Sequence, residues 1–228
     1  MKVWGLRQTI SQSYWFWYGV GVLFALLGSI FQQGPGYMDA AYYTVGGLQL
    51  FEGKGFFEPY IWNYLSAPAG IPAPAFVYWM SMPSIIAFLG MWITRSSSFF
   101  GAKLLFILLS GFIPVLTVYI ARRLLRKPNY AWIAGGIAAI PGIYSIYLAI
   151  PESFVLYMLA GALFIIVAFY SEHRLFGSWE SPQRFFVLGM IAGGMHLTRA
   201  DGLVWLFAAL GLLVWRMRAW QSLKKLRI

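Results

Sequence analysis

The sequence predicts an all-α fold, a polytopic transmembrane helical bundle with about six crossings. Three observations carry this expectation. Apolar residues make up 60% of the 228-residue chain and charged residues 11%, against about 25% charged in a soluble domain. Mean hydropathy is +0.68, more apolar surface than a water-soluble packing of this length can hide. The charges also gather in short segments between long apolar runs, as they do in the loops of membrane proteins.

The elements follow in chain order. Residues 14–31 are apolar and aromatic, preceded by Lys2 and Arg7. No small-x-small cleavage pattern follows, so the first span is expected to be a retained anchor. Residues 32–98 read as an outer-face loop, too rich in Gly and Pro for one long helix, carrying short interfacial helices. In it, 39–51 reads as a helix with Asp39 near its N-terminus and Gly53 to Gly55 closing it. The stretch 76–93 is apolar, interrupted by Pro83, and holds Tyr78, Trp79 and Trp92, residues that favour the membrane interface. It is expected to lie along the outer surface as an interfacial helix that does not cross. Residues 99–120, 130–148 and 153–170 are strong spans. Residues 185–197 form a span shorter than the usual length of about 20, ending in the polar stretch HLTRADG. The last span, 203–215, leads into a basic tail. No internal repeat or low-complexity tract is present.

Charge placement orients these spans. With the N-terminus inside and 76–93 not crossing, only Lys54, Arg95, Lys103 and Arg199 of the 17 basic residues lie outside. Letting 76–93 cross moves the run RRLLRK outside and breaks the positive-inside rule. A variant that keeps the crossing but starts outside also satisfies the rule. Lys2 and Arg7 beside the first span disfavour it, and it separates Asp39 from Glu152. The expected topology is therefore a multi-pass protein of the cell membrane with both termini cytoplasmic. The net charge of +10 belongs to inner loops, where it meets anionic membrane lipids, and nucleic acid is not an expected partner. The absence of cysteine rules out disulfides and thiolate metal sites.

This topology puts Asp39, Glu52, Glu58, Glu152 and Asp201 on the outer face with Arg199, leaving Glu172 and Glu180 inside. Carboxylates and a guanidinium at one membrane boundary suit base chemistry and anion binding. The same charges can simply mark helix ends. An acid in such a place is a functional hypothesis by default, and Asp39 is the leading one. At a helix N-terminus its anion is stabilised, which makes it a weaker base unless substrate desolvation or a bound cation compensates. His196 reads as a structural histidine rather than a haem ligand, since the one other histidine, His173, falls on the inner face. Gly193-Gly194, Gly135-Gly136 and Gly161 are expected to allow close helix packing.

Several motifs recur in one order. Asp39 to Tyr43 reads Asp-x-x-Tyr-Tyr; Leu50, Gly53 and Gly55 form a Leu-Gly-Gly step; Glu58-Pro59, Trp62 and Tyr78-Trp79-Met80 follow. Then come Tyr119 with Ala121 to Arg123, Pro151-Glu152 opening a span, and Leu197 to Arg199 closing one. Over residues 1–215 this order resembles the N-terminal part of the membrane-embedded type C glycosyltransferases. The nearest branch is the dolichyl-phosphate-mannose-type protein mannosyltransferases, glycosyltransferase family 39, with bacterial relatives that act on lipid A.

The resemblance implies a transferase that moves a sugar from a polyprenyl-phosphate donor to an outer-face acceptor with inversion. Asp39 would be the general base and Glu152 its catalytic support or acceptor contact. Arg199 would meet the phosphate with Asp201 holding it, and Glu58, Tyr43 and Trp79 would line the substrate. The cofactor is left open: no nucleotide need enter the site, and Asp39 and Glu152 together suggest a divalent cation. Ala40 departs from the family, in which a second acid often follows the first, and this weakens the metal expectation. The family is usually about twice as long, so this chain reads as a natural short form, a split or truncated gene product, or a subunit whose missing spans come from a partner membrane subunit. The alternative is a non-catalytic subunit of the same fold acting as a scaffold in a larger complex.

Overall fold

A computed structural model describes residues 14–61, 70–125, 127–140, 142–170 and 181–225. The chain is all-α apart from one two-residue antiparallel pairing. Its helices are α1 (Tyr14–Ile30), α2 (Met38–Phe51), α3 (Met82–Thr94), α4 (Phe99–Ser110), α5 (Phe112–Leu124), α6 (Pro128–Ala139), α7 (Ser145–Leu148), α8 (Ser153–Ile165, continued as a π-turn by Ile166–Tyr170), α9 (Pro182–Thr198) and α10 (Leu203–Lys225). Strand β1 (Phe57–Glu58) pairs with β2 (Ala73–Pro74), Phe57 opposite Pro74.

Among the described residues two segments are long and apolar enough to cross a membrane, Phe99–Leu124 with 26 residues and Ser153–Tyr170 with 18. At about 1.5 Å per residue both approach or exceed the hydrocarbon thickness of about 30 Å. The pair Asn129–Ala139 and Gly142–Leu148, bent by 46°, makes a third when taken as one span. Helix α1 is apolar but only 17 residues long. The span expected at 99–120 runs on as helix to Leu124, and the short one expected at 185–197 is embedded in a 17-residue helix.

The loop expected at 32–98 does contain two short helices. Helix α2 begins one residue before Asp39 and ends at Phe51, where Gly53 and Gly55 take φ of 73° and 76°. Only glycine adopts that backbone without cost. The reading of 76–93 needs correction. Pro83 opens α3 rather than breaking it, because a proline in the first turn forfeits no hydrogen bond. Phe76 to Ser81 is not helical, so Tyr78 and Trp79 precede the helix. Trp62 lies outside the described residues.

Helix α3 is wedged between α2 and α4. A side chain at Gly47 would sit 2.9 Å from Ala87 Cβ and 3.1 Å from the Ser84 carbonyl, and one at Gly90 would strike the Gly101 carbonyl. Close approach therefore rests on Gly46, Gly47, Gly90 and Gly101. At Gly193, Gly194 and Gly136 nothing lies within 4 Å, so the packing role expected there belongs elsewhere. Gly135 does meet Val118 and Trp17 closely. The main core gathers Met91, Phe106, Ile113, Leu148 and Val155 from α3, α4, α5, α7 and α8, and a second cluster joins α8, α9 and α10 around Phe164, Leu188 and Ala209.

Candidate functional site

The site lies at the end of the bundle where α1 and α9 finish and where α2, α4 and α8 begin. Lys103 of α4 reaches back to carbonyls at the end of α1, and Gln32 Nε2 donates to the Ile146 carbonyl of α7 at 2.5 Å. Tyr37, immediately before α2, donates its hydroxyl to Glu152 Oε2, immediately before α8. That hydrogen bond spans 115 residues and puts Asp39 and Glu152 at one end of the molecule.

Glu152 is 2% exposed, and its carboxylate is fully engaged. Oε1 accepts from the Ser153 amide and hydroxyl, each at 2.6 Å, while Oε2 takes the Tyr37 hydroxyl. A buried carboxylate is tolerated because its lone pairs are satisfied this way. It orders the junction between the first loop and α8.

Asp39 differs. It sits in the first turn of α2, half-buried, and no described residue hydrogen-bonds or ion-pairs its carboxylate. The positive end of α2 supports its charge. Three of the roughly four lone-pair sites of Glu152 are taken by Tyr37 and Ser153, which leaves that carboxylate little to share with a cation at Asp39. Among the described residues no three His, Cys, Asp or Glu side chains come together as a metal set.

Arg199 closes α9 in extended conformation and lies over the Tyr157 ring at 5.6 Å. Its Nε donates to Asp201 Oδ1 at 3.1 Å and one terminal nitrogen to Oδ2 at 3.3 Å. Asp201 therefore grips Arg199, one of the two roles open to it on sequence. The hydrogen bond to Asp201, ahead of the burial that opposes it, raises the Arg199 guanidinium above its ordinary value. The other terminal nitrogen remains for an anion. The turn is tight: a side chain at Gly202 would collide with the backbone of Met195 and His196.

One phenol reports that these charges converge. Burial pushes the Tyr43 hydroxyl well above the ordinary tyrosine value. The negative charges of Glu152 and Asp39 push it further, and the Arg199 guanidinium pulls it back. Tyr37 is raised by burial first, then by its bond to Glu152 and the charges of Glu152 and Asp39. Both phenols thus stay protonated at any physiological pH.

Glu58 and Trp79 belong to a neighbouring cluster. The Tyr42 hydroxyl donates to the buried Glu58, and the Phe76 amide donates to Tyr42 Oη at 2.9 Å and to Glu58 Oε1 at 3.3 Å. These bonds hold Phe76 at φ 63°, a conformation costing about 1–3 kcal/mol outside glycine. Trp79 packs on Tyr42 with ring centroids 5.1 Å apart. Glu58 thus braces the loop against α2, and Trp79 packs over that brace.

A cavity of about 490 Å³ runs from Phe31 to Tyr37 and against Tyr147 and Ile150. Phe31 also borders an apolar crevice of about 300 Å³ between α1, the α4–α5 junction and the bend after α6, walled by Gly21, Ala25, Gly28 and Ile113. Sequence reasoning missed Tyr37, Tyr42 and Tyr157, which link the charged groups. Tyr37 is two residues from Asp39, and that proximity was the one available signal. No protein-family model matches the chain, and no curated protein or solved structure does.

Proposed function

We propose that the chain is a six-crossing membrane protein of the type C glycosyltransferase kind, moving a sugar from a polyprenyl phosphate to an outer-face acceptor. The observation that carries this reading is geometric: the Tyr37 hydroxyl bond to Glu152 brings Asp39, two residues on, to the head of α8, and Arg199 lies over Tyr157 of that same helix. Asp39 takes the proton from an acceptor hydroxyl or amine as that atom bonds to the anomeric carbon. The bond from that carbon to the phosphate oxygen breaks, and the polyprenyl phosphate leaves with the electron pair. Arg199 meets the phosphate through its remaining terminal nitrogen, and Tyr37 and Tyr43 supply neutral phenols beside it. The apolar crevice past Phe31 has the character a prenyl segment requires, with its end near Tyr37.

The test is sugar transfer in liposomes that hold the chain and a radiolabelled polyprenyl-phosphate sugar. Movement of label from donor to a protein or lipid acceptor is the expected result. Label that stays on the donor across a mixed acceptor pool, with the chain folded, favours the scaffold reading instead. The side of the membrane is tested separately by Gly34→Cys, at an exposed position with open space and no positive φ. An impermeant thiol reagent is expected to label it on intact cells. Labelling only after lysis overturns the outer-face placement.

A further inference from the structure

Tyr157 takes no part in proton transfer or phosphate release, yet groups from the end of α9 and the start of α10 meet on it. Its ring lies under the Arg199 guanidinium, with 5.6 Å from centroid to guanidinium carbon. A cation within about 6 Å of an aromatic face is held by the ring's negative centre. Asp201 grips the same guanidinium along one edge, at Nε and one terminal nitrogen. The side chains of that pair are 40% and 54% exposed, and a solvent-exposed ion pair contributes little on its own. One carboxylate also leaves the long arginine free to hinge about the shared edge. The ring contact removes that freedom, so the remaining terminal nitrogen keeps one direction.

Tyr157 is itself held. It lies on α8 little more than one turn beyond Glu152. Trp205, in the first turn of α10, donates its indole Nε1–H to the Tyr157 hydroxyl at 3.0 Å. An indole only donates, so this bond fixes the tyrosine oxygen as its acceptor. The Trp205 ring stands edge-on to Phe164 with centroids 5.0 Å apart, and a side chain at Gly161 would touch it at 3.8 Å. Tyr157, Gly161 and Phe164 fall on one stripe of α8 at helical spacing. The platform under Arg199 is thus set on a helix and braced from a second one. A recognition group is held more precisely by such support than by a loop.

We infer that Tyr157 is a positioning residue whose aromatic face, braced by Trp205, aims the Arg199 guanidinium at a phosphate. The inference rests on reading Arg199 as the phosphate contact, but not on sugar transfer itself. A guanidinium already aimed loses less freedom on binding, so the ring strengthens phosphate binding without touching the phosphate.

Titration calorimetry of the whole purified chain in detergent with farnesyl phosphate, and with farnesol as the phosphate-free control, tests this. Tyr157→Leu is expected to weaken farnesyl phosphate by about fivefold and to leave farnesol unchanged. Tyr157→Phe keeps the face and gives up only the Trp205 bond, so it is expected to stay within about twofold of the native chain. In an Arg199→Gln background Tyr157→Leu is expected to cost nothing further, because the two residues act as one. Should Tyr157→Leu misfold, pentafluorophenylalanine at position 157 decides. It keeps the size of the ring and cancels its negative face, so it is expected to bind about fivefold more weakly than Tyr157→Phe. The inference is overturned by an unchanged affinity in Tyr157→Leu, or by a Tyr157→Phe loss as large as the leucine one. A Tyr157→Leu loss that persists without Arg199, or a fluorinated ring that binds like phenylalanine, overturns it as well. A native chain that binds farnesyl phosphate no better than farnesol overturns the phosphate role of Arg199, and the positioning role falls with it.

Discussion

Asp39→Asn is expected to lower sugar transfer by about 10²–10⁴-fold, the usual contribution of a positioned general base, while the fold survives. The side chain keeps its size and its place in the first turn of α2. No described residue bonds to its carboxylate, so the amide leaves no partner stranded. The stability at stake is the charge–dipole term alone, about 0.3–1 kcal/mol. The measurement is the transfer rate beside the thermal midpoint in detergent. An unchanged rate would remove Asp39 as the base. A collapse of the midpoint would show that its carboxylate holds the loop, contrary to the geometry.

Glu152→Ala is expected to do the opposite, unfolding first and losing activity as a result. The substitution strands the Ser153 amide, the Ser153 hydroxyl and the Tyr37 hydroxyl around a buried position. Each orphaned group costs about 1–3 kcal/mol, and the loss falls on a strut that ties the start of α2 to α8. A drop of several degrees in the thermal midpoint is the expected reading, with Glu152→Gln milder because its carbonyl still serves Ser153. A fully stable Glu152→Ala would show the strut to be dispensable. The same strut has a pH signature. Burial and Glu152 raise the Tyr37 hydroxyl, so the folded chain holds that proton more firmly than the unfolded one. The stabilisation is complete below the unfolded value of about 10 and is lost as pH climbs through and beyond it.

How much of this was legible in the sequence depends on how local the signal is. Helix α2 was legible, since an acid at its start and glycines past its end are neighbours in the chain. So were the spans at 99–120 and 153–170, which composition alone marks. Pro83 misled because a proline looks the same whether it opens a helix or interrupts one. The glycines misled for a different reason. Gly193-Gly194 resembles a packing motif, but what matters is whether another helix arrives, and it arrives at Gly46-Gly47 and Gly90 instead. The acids of the site were visible as acids, whereas their employment was not. Nothing near residue 152 announces that Tyr37 will bind it, or that Asp39 will be left open. Buried Lys103 was counted with the outer basic residues for the same reason, its partners being more than 70 positions earlier.

The bond between Tyr37 and Glu152 also sets a schedule. A chain made from its N-terminus at roughly 5–20 residues per second exposes Tyr37 roughly 6–23 s before Glu152 exists, given their separation of 115 residues. During that interval α2 can fold against α3, yet its leading end has nothing to grip. The acidic centre is therefore assembled only when the span that follows Glu152 begins to arrive, and a ribosome that stops early leaves behind a chain with Asp39 unplaced.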